Sequence, residues 1–373
     1  MTGSKIRVAV LGCGLQGRHH LGGYAKLPDV EIAAVCDIDE ARRVQAAAEF
    51  GATAHFSDYR DLLAAGDYDL VSICTMPVSH REMVEASLAR GANVICEKPF
   101  AMNLAESVSM AEAARAADRF LTLGFNMRFL PAVQFLKRYV VDGKLGKPIS
   151  GSAWSTAIDI PWWGKHYVKA ISGGGVLASI VVHTLDVSMW LLGNPKPVAV
   201  SASVARSFPV KRVVTAPSPE AAAEHDVEDV VSGHLRFEDG TWLTIGGSWS
   251  WDQPNYSYGF ELAGERSTIK FAPFRIMEER GGIPVDVTSE HYDNFDPRTD
   301  LDRWKESMEF EVADVVAAVR DGRSPLVRVE EGLIVQAVID ATYRSAELNR
   351  EVEIELPTGW NFKSTSVDTS WIS

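Results

Sequence analysis

Three groups of residues have types and spacings suited to chemistry. Lys98 closes the stretch ICEKPF (95–100), at the end of the apolar run GANVICEKPF, with Pro99 directly behind it. An ammonium carried to the end of a buried strand is a candidate proton acceptor once water is taken from it, because desolvation favours its neutral form. His183, in SGGGVLASIVVHTLDVSMWLLG, is a second side chain able to exchange a proton near neutrality. In VAVLGCGLQGRHH, Gly12, Gly14 and Gly17 stand in G-x-G-x-x-G spacing, with Leu15 and Gln16 between the last two. That spacing permits a tight turn, the approach of a pyrophosphate to the backbone, and close packing of a helix on a strand.

These residues need elements to hold them. Up to about Phe125 the chain alternates short apolar runs (IRVAVLG, EIAAVCD, DLVSICT, NVICEKP, RFLTLGF) with helical stretches such as EARRVQAAAEFG and LAESVSMAEAARAAD. Runs rich in Val and Ile and nearly continuous in apolarity predict parallel strands buried on both faces, in a doubly wound α/β sheet. The glycine turn follows the first strand and opens a helix. Asp37 ends the second strand, twenty residues past Gly17. This context makes the turn a dinucleotide site, with Asp37 accepting from the adenosine ribose hydroxyls and repelling a 2′-phosphate. Ile38 follows where an arginine could have held that phosphate. Arg42 and Arg43 come later, on the next helix, so NAD is expected ahead of NADP. In such a sheet ligands sit outside the carboxyl ends of the strands, which brings Lys98 to the cofactor cleft.

Beyond about Phe129 the texture changes to longer strands with turn signals. These are PVAVSASVARSF, then VEDVVSGHLRFEDGTWLTIGGSWSW with a hairpin at EDG, and YGFELAGERSTIKFA. Two amphipathic helices follow, RWKESMEFEVADVVAAVRDG and VEEGLIVQAVIDATYRSAELN. All ten tryptophans lie beyond residue 150. Most suit core packing, and some suit the C–H faces of a sugar ring. The loop DIPWWGKHYVKAISGGG mixes Trp162, Trp163, Lys165, His166, Tyr167 and Lys169, and reads either as a polyol-binding loop or as a linker or subunit contact. Alternation places Leu243, Ile245, Trp249 and Trp251 on one side of a strand. That side is expected to be an open apolar face, covered by forming homodimers or homotetramers.

Composition narrows the class. A net charge of −13 argues against nucleic acid, whose binding rests on a basic surface, and favours a neutral small molecule. Four cysteines (Cys13, Cys36, Cys74, Cys96) without a CxxC spacing predict buried reduced thiols and no metal centre. No basic-then-apolar leader opens the sequence, and no apolar stretch is expected to approach the ~18 residues that span a bilayer. A cytoplasmic protein without membrane contact is expected.

GCGLQGRHH, EKP and SGGGVLASIVVHTLDVSMWLLG together resemble the glucose–fructose oxidoreductase and inositol dehydrogenase family, Gfo/Idh/MocA, over residues 5 to about 350. The resemblance implies an N-terminal Rossmann domain (1–128), then an α+β domain with an open-faced, mostly antiparallel sheet for substrate and subunit contacts (129–355), and a C-terminal arm (356–373). It implies that Lys98 bonds the reacting hydroxyl beside the nicotinamide and that Glu97 belongs to the same motif. It places Thr75, Pro77 and His80 in the loop past the phosphates, Asn126 and Arg128 by the nicotinamide, and His183 in acid–base or positioning duty. The family often has an aspartate four residues before that histidine; here Ser179 stands there. Ser179, His183 and Asp186 are expected on one helical face, and Arg128, Trp163 and His166 with them at the substrate.

The implied activity is oxidation or reduction of a secondary alcohol of a sugar, glycoside or cyclitol with NAD, Lys98 and His183 being the catalytic pair. A redox-assisted lyase or glycosidase with recycled NAD is the alternative within the fold. A non-catalytic NAD-binding regulator is the alternative outside it.

Overall fold

The computed structural model describes residues 4–207, 216–251, 256–291 and 303–362, and by packing the chain divides into two units. The first comprises Met1–Asn126 and Lys305–Leu333. Its strands are β1 (Ile6–Leu11), β2 (Val30–Cys36), β3 (Ala54–Phe56), β4 (Leu70–Ile73), β5 (Asn93–Cys96) and β6 (Leu121–Leu123). They pair in the order β3-β2-β1-β4-β5-β6, every pair parallel. Val8, Ala9 and Val10 of β1 are fully buried, as a central strand covered on both faces requires. The chain moves outward from β1 through β2 to β3, then returns to start β4 on the other side. The order therefore reverses between β1 and β4, and a crevice opens at the carboxyl ends of those two strands. Strand β3 was not expected: three residues are too few to show a period.

Helix Trp304–Asp321 corrects the assignment by chain order. Val312, Val315 and Val316 join Val8, Val10, Leu21, Tyr24, Ile32 and Val35 in the first unit's core. A Cβ on Gly23 would come 2.4 Å from Val312 Cγ2, so that glycine lets the returning helix seat. Thr122 Oγ1 donates to Val327 O at 2.7 Å, fixing the segment after it beside β6.

The second unit comprises Met127–Trp304 and Ile334–Ser373. Its strands are β7 (Pro148–Thr156), β8 (Pro197–Ala205), β9 (Val230–Phe237), β10 (Trp242–Ser248), β11 (Ser257–Gly264), β12 (Ser267–Phe271), β13 (Arg275–Arg280), β14 (Ile283–Asp286) and β15 (Val352–Glu353). The sheet order is β14-β13-β12-β11-β7-β10-β9-β8-β15, antiparallel except between β7 and β10. The EDG hairpin joins β9 to β10, with Gly240 at φ +88°.

Leu243 and Ile245 do share a face, but it is the covered one, and both are buried. A Cβ on Gly247 would lie 2.2 Å from Val181 Cγ2, because the helical segment carrying Val181 packs directly on this side of the sheet. Trp249, beyond the strand end, is buried too, whereas Trp251 is half exposed. The open face belongs to the alternate residues Trp242 and Thr244, paired with Arg236 and His234 of β9 and with Ser150 and Ser152 of β7. It is polar around one tryptophan rather than apolar.

A second correction concerns apolar length. The helical run Lys169–Leu191 is long and apolar enough to cross a bilayer, contrary to expectation, but most of it is buried inside the protein as a core helix is. Of the expected C-terminal arm, residues 363–373 lie outside the described residues.

Candidate functional site

Each of the three glycines has its own physical reason. Gly12 takes φ +94°, and a Cβ there would meet Cys74 O at 2.5 Å. A Cβ on Gly17 would stand 1.8 Å from Gly12 O, so only glycine lets the helix Leu15–Tyr24 lie against the turn. Gly14 is different. It caps the helix with no side-chain bond, and a Cβ there would meet nothing within 4 Å. The open space lies at a helix N-terminus whose first N–H groups have no intrahelical acceptor and whose first turn holds no acidic residue. A pyrophosphate fits that cradle. Leu15 is exposed there, while Gln16 Oε1 lies 3.1 Å from His19 Nδ1.

Asp37 is brought to the same turn. Its Oδ2 accepts from Cys13 N at 2.7 Å and its Oδ1 from Asp39 N at 2.9 Å, which aims a half-buried carboxylate out of the end of β2. Ile38 beside it is 92% exposed, so no cation follows the carboxylate. Arg43 reaches the carbonyls of Asp37 and Ile38 at 3.5 Å and pairs with Glu40, and Arg42 pairs with Asp39. The donor set fits an unphosphorylated ribose. All four thiols are free, and burial pushes Cys13 and Cys36 up to about 12, well into their neutral form.

The loop after β4 is tied to the EKP segment by His80. That ring is fully buried, with Nδ1 3.1 Å from Pro99 O and Nε2 3.2 Å from Thr75 O. His80 was expected to meet the cofactor; the structure uses it instead as a brace between two loops. Thr75 Oγ1 accepts from Ser79 Oγ at 2.9 Å, and Pro77 opens the short turn Pro77–Ser79. Asn126 is buried, and its Nδ2 donates to Ser307 Oγ at 2.9 Å.

Lys98 follows β5 through a cis bond to Pro99. Burial draws its ammonium below the ordinary lysine value, and the Glu97 carboxylate opposes that pull. Glu97 is itself buried; burial pushes its carboxyl up, but His20 and Lys98 outweigh this and hold it below the usual carboxylate range. Its Oε2 accepts from Lys98 N at 3.2 Å, and a Cβ on Gly124 would press on its carboxyl at 3.0 Å.

In the second unit the SGGG turn is built around Glu228. Its Oε2 accepts from Gly175 N at 2.9 Å, and its Oε1 from Leu177 N at 3.0 Å and from Tyr343 Oη at 2.9 Å. Burial nonetheless raises its pKa. A Cβ on Gly174 would collide with Tyr343 Oη at 2.0 Å, and one on Gly175 with Glu228 O at 1.9 Å, which accounts for two of the three glycines. From this anchor runs a π turn, Leu177–Val181, and then the α-helix Val182–Leu191. A wide turn at this point is a departure from regular helix of the kind that recurs at functional sites.

His183 is nearly buried, its ring edge-on to Trp304 at 5.1 Å, and Ser179 is half-buried. Asp186 and Arg128, both expected at the substrate, turn inward. Asp186 takes two bonds from the Arg128 guanidinium, neither side chain reaches solvent, and Arg128 lies 5.4 Å from the Trp190 ring. In the WWGKH loop Trp163 is 56% exposed and meets His166 edge-on at 4.2 Å, while Lys165 pairs with Glu224.

Residues 6–125 match the family model described as oxidoreductase family, NAD-binding Rossmann fold, and residues 140–354 match that of the oxidoreductase family C-terminal alpha/beta domain. The chain belongs to the Gfo/Idh/MocA oxidoreductases. It is 28% identical to the D-glucoside 3-dehydrogenase of Escherichia coli K12, over 95% of this chain and 99% of that one. It is 26% identical to the myo-inositol 2-dehydrogenase of Thermotoga maritima, over 94% and 99%. A levoglucosan dehydrogenase solved with NADH and levoglucosan shares the fold, with TM-score 0.82 and 23% identity over 94% of this chain and 100% of that one.

This Gfo/Idh/MocA chain is thus an oxidoreductase whose Rossmann unit carries the features that hold NAD. Among the described residues no cluster of three or more His, Cys, Asp or Glu is placed to hold a metal ion. One residue passed over in the sequence is His20, the second histidine of GRHH. It is fully buried, with Nε2 3.3 Å from Glu97 Oε1. The signal was available: Gly17, His20, Leu21 and Tyr24 follow the three- and four-residue rhythm of the helix's inner face.

Proposed function

We propose that this oxidoreductase oxidises a secondary alcohol of a sugar, glycoside or cyclitol with NAD, or reduces the corresponding ketone, with Lys98 and His183 as its acid–base groups. The observation that carries the reading is Lys98: a lysine at the carboxyl end of β5, its basicity lowered by burial, in the same unit as a phosphate cradle and Asp37. The names of the relatives, dehydrogenases of a glucoside and of myo-inositol, support the substrate class.

Oxidising CH–OH releases a hydride and a proton. Bound NAD supplies the hydride acceptor. The neutral Lys98 amine takes the hydroxyl proton and becomes an ammonium, which donates it back in the reverse direction. His183, held edge-on by Trp304 on the helix that follows the π turn, orients the substrate or exchanges a second proton. Trp163 offers an exposed aromatic face for a sugar ring, with His166 beside it. We place substrate binding and subunit contacts in residues 129–355 and the protein in the cytoplasm as a homodimer or homotetramer.

The test is a panel of monosaccharides, glycosides and inositols incubated with NAD and the purified protein, following NADH. At least one should give NADH, and Lys98→Met should abolish it. Product formed without NADH accumulating would replace this reading with recycled-cofactor chemistry. NADH formation untouched by Lys98→Met would remove Lys98 from its role.

A further inference from the structure

Beneath Lys98 lies a chain of buried polar groups that takes no direct part in the proposed reaction. Tyr24 Oη is 2.7 Å from Ser72 Oγ, Ser72 Oγ is 3.2 Å from His20 Nδ1, and His20 Nε2 is 3.3 Å from Glu97 Oε1. Glu97 Oε2 then accepts from Lys98 N. His20 and Ser72 are fully buried, and Tyr24 and Glu97 nearly so. The groups come from the helix Leu15–Tyr24, from β4 and from the end of β5, so three elements converge on one carboxylate.

One assignment of donors and acceptors runs unbroken along this chain. Tyr24 can donate to Ser72, Ser72 to His20 Nδ1, and His20 Nε2–H to Glu97. Each of these side chains then has a hydrogen-bond partner, and the chain ends on the Glu97 carboxylate. A buried carboxylate without that donor would take up a proton.

We propose that His20 is a positioning residue for Lys98: through Ser72 on one side and Glu97 on the other, it keeps an ionised carboxylate turned onto the backbone of the catalytic lysine. The inference rests on Lys98 being the acid–base group. Its consequence is a fixed counter-charge for the ammonium form, set against the burial that disfavours it.

The other titratable groups facing this chain cannot take over. Cys74 and Cys96, at the ends of β4 and β5, are driven far up by burial and stay neutral. Tyr24 is raised by burial as well, and His19 on the same helix is lowered by burial and by His20 and Lys305. From helix Trp304–Asp321, Glu311 faces Tyr24 and Cys74, and Lys305 and Glu309 face His19. The Glu97 carboxylate does act on Lys98, raising the pKa that burial lowers.

The measurement is the titration of Lys98 itself, in the full chain without substrate, by NMR of lysine labelled with carbon-13 at Cε, the resonance being assigned by its loss in Lys98→Arg. His20→Phe keeps the ring volume and removes the donor. Glu97 should then become protonated, the ammonium lose its counter-charge, and the Lys98 titration move to lower pH. Glu97→Gln should move it the same way. His20→Gln, which returns an N–H toward Glu97, should restore most of the wild-type titration. Should His20→Phe fail to fold, His20→Asn keeps a polar group toward Ser72 while withdrawing the one toward Glu97, and should behave likewise.

A Lys98 titration unchanged in His20→Phe or His20→Asn, with wild-type NAD affinity, overturns the inference even where stability falls, for His20 is then structural only. If the titration moves as stated but no polyol yields NADH, the inference survives and the dehydrogenase reading fails.

Discussion

Arg128 and Asp186 form a two-point buried ion pair, Nε to Oδ2 at 2.9 Å and Nη2 to Oδ1 at 2.6 Å. Each cancels a charge that the interior would not tolerate alone. Asp186→Ala should take the paired carboxylate from a buried guanidinium and cost about 3–5 kcal/mol. Arg128→Met with Asp186→Leu should recover most of the loss. Urea unfolding checks both; a double variant no more stable than Asp186→Ala would show that the pair does more than cancel its own charges.

Gly14 and Gly17 should separate binding from folding. Gly17→Ala forces a Cβ onto Gly12 O and should destabilise the protein on the order of 3 kcal/mol. Gly14→Ala has room, so the melting temperature should hold while NAD affinity falls on the order of tenfold, ~1.4 kcal/mol. Thermal melts and NAD titrations on both variants decide it. Equal loss of stability in the two would contradict the assignment of Gly14 to the phosphates.

Asp37 should keep NAD binding tighter than NADP binding, because its carboxylate would face the extra phosphate. Asp37→Ser with Ile38→Arg should narrow or reverse the gap. Comparable affinities for the two cofactors in the unaltered protein would refute the argument.

Oxidation should speed up as pH rises, since Lys98 accepts a proton only when neutral. Below its pKa the rate should fall about tenfold per pH unit. Because burial lowers that pKa, the limb should lie below the ordinary lysine value. Lys98→Ala should cost on the order of a hundredfold in turnover or more, with NAD affinity nearly unchanged. His183→Ala should be comparably damaging and Ser179→Ala milder. A Ser179→Ala variant as inactive as Lys98→Ala, beside a nearly normal His183→Ala, would reverse the roles given to these side chains.

What the sequence disclosed depended on how local the cause was. Gly12 and Gly17 were legible because backbone atoms within a few residues, or one strand away, forbid a Cβ. The Val- and Ile-rich runs were legible because burial on both faces leaves a pattern in every residue. Spacing put Leu243 with Ile245 correctly, but it cannot say which side of a sheet is covered. Likewise spacing put Asp186 near His183, yet nothing local announced that Arg128, 58 residues earlier, turns it inward. His80 looked like a ligand contact because its carbonyl partners, Pro99 and Phe100, are distant in sequence. The π turn at Leu177–Val181 left no mark, since five residues cannot distinguish its period from that of an α-helix.

The return of Lys305–Leu333 to the first unit bears on how the protein is made. Synthesis proceeds from the amino end, so β1 to β6 are out of the ribosome long before Val312, Val315 and Val316 exist. Until those valines arrive, Leu21, Tyr24 and the inner face of the Leu15–Tyr24 helix lack part of their cover. The cofactor-binding half, first to be translated, is therefore among the last to mature. A nascent chain stalled short of about residue 330 would present that apolar seam to chaperones and proteases.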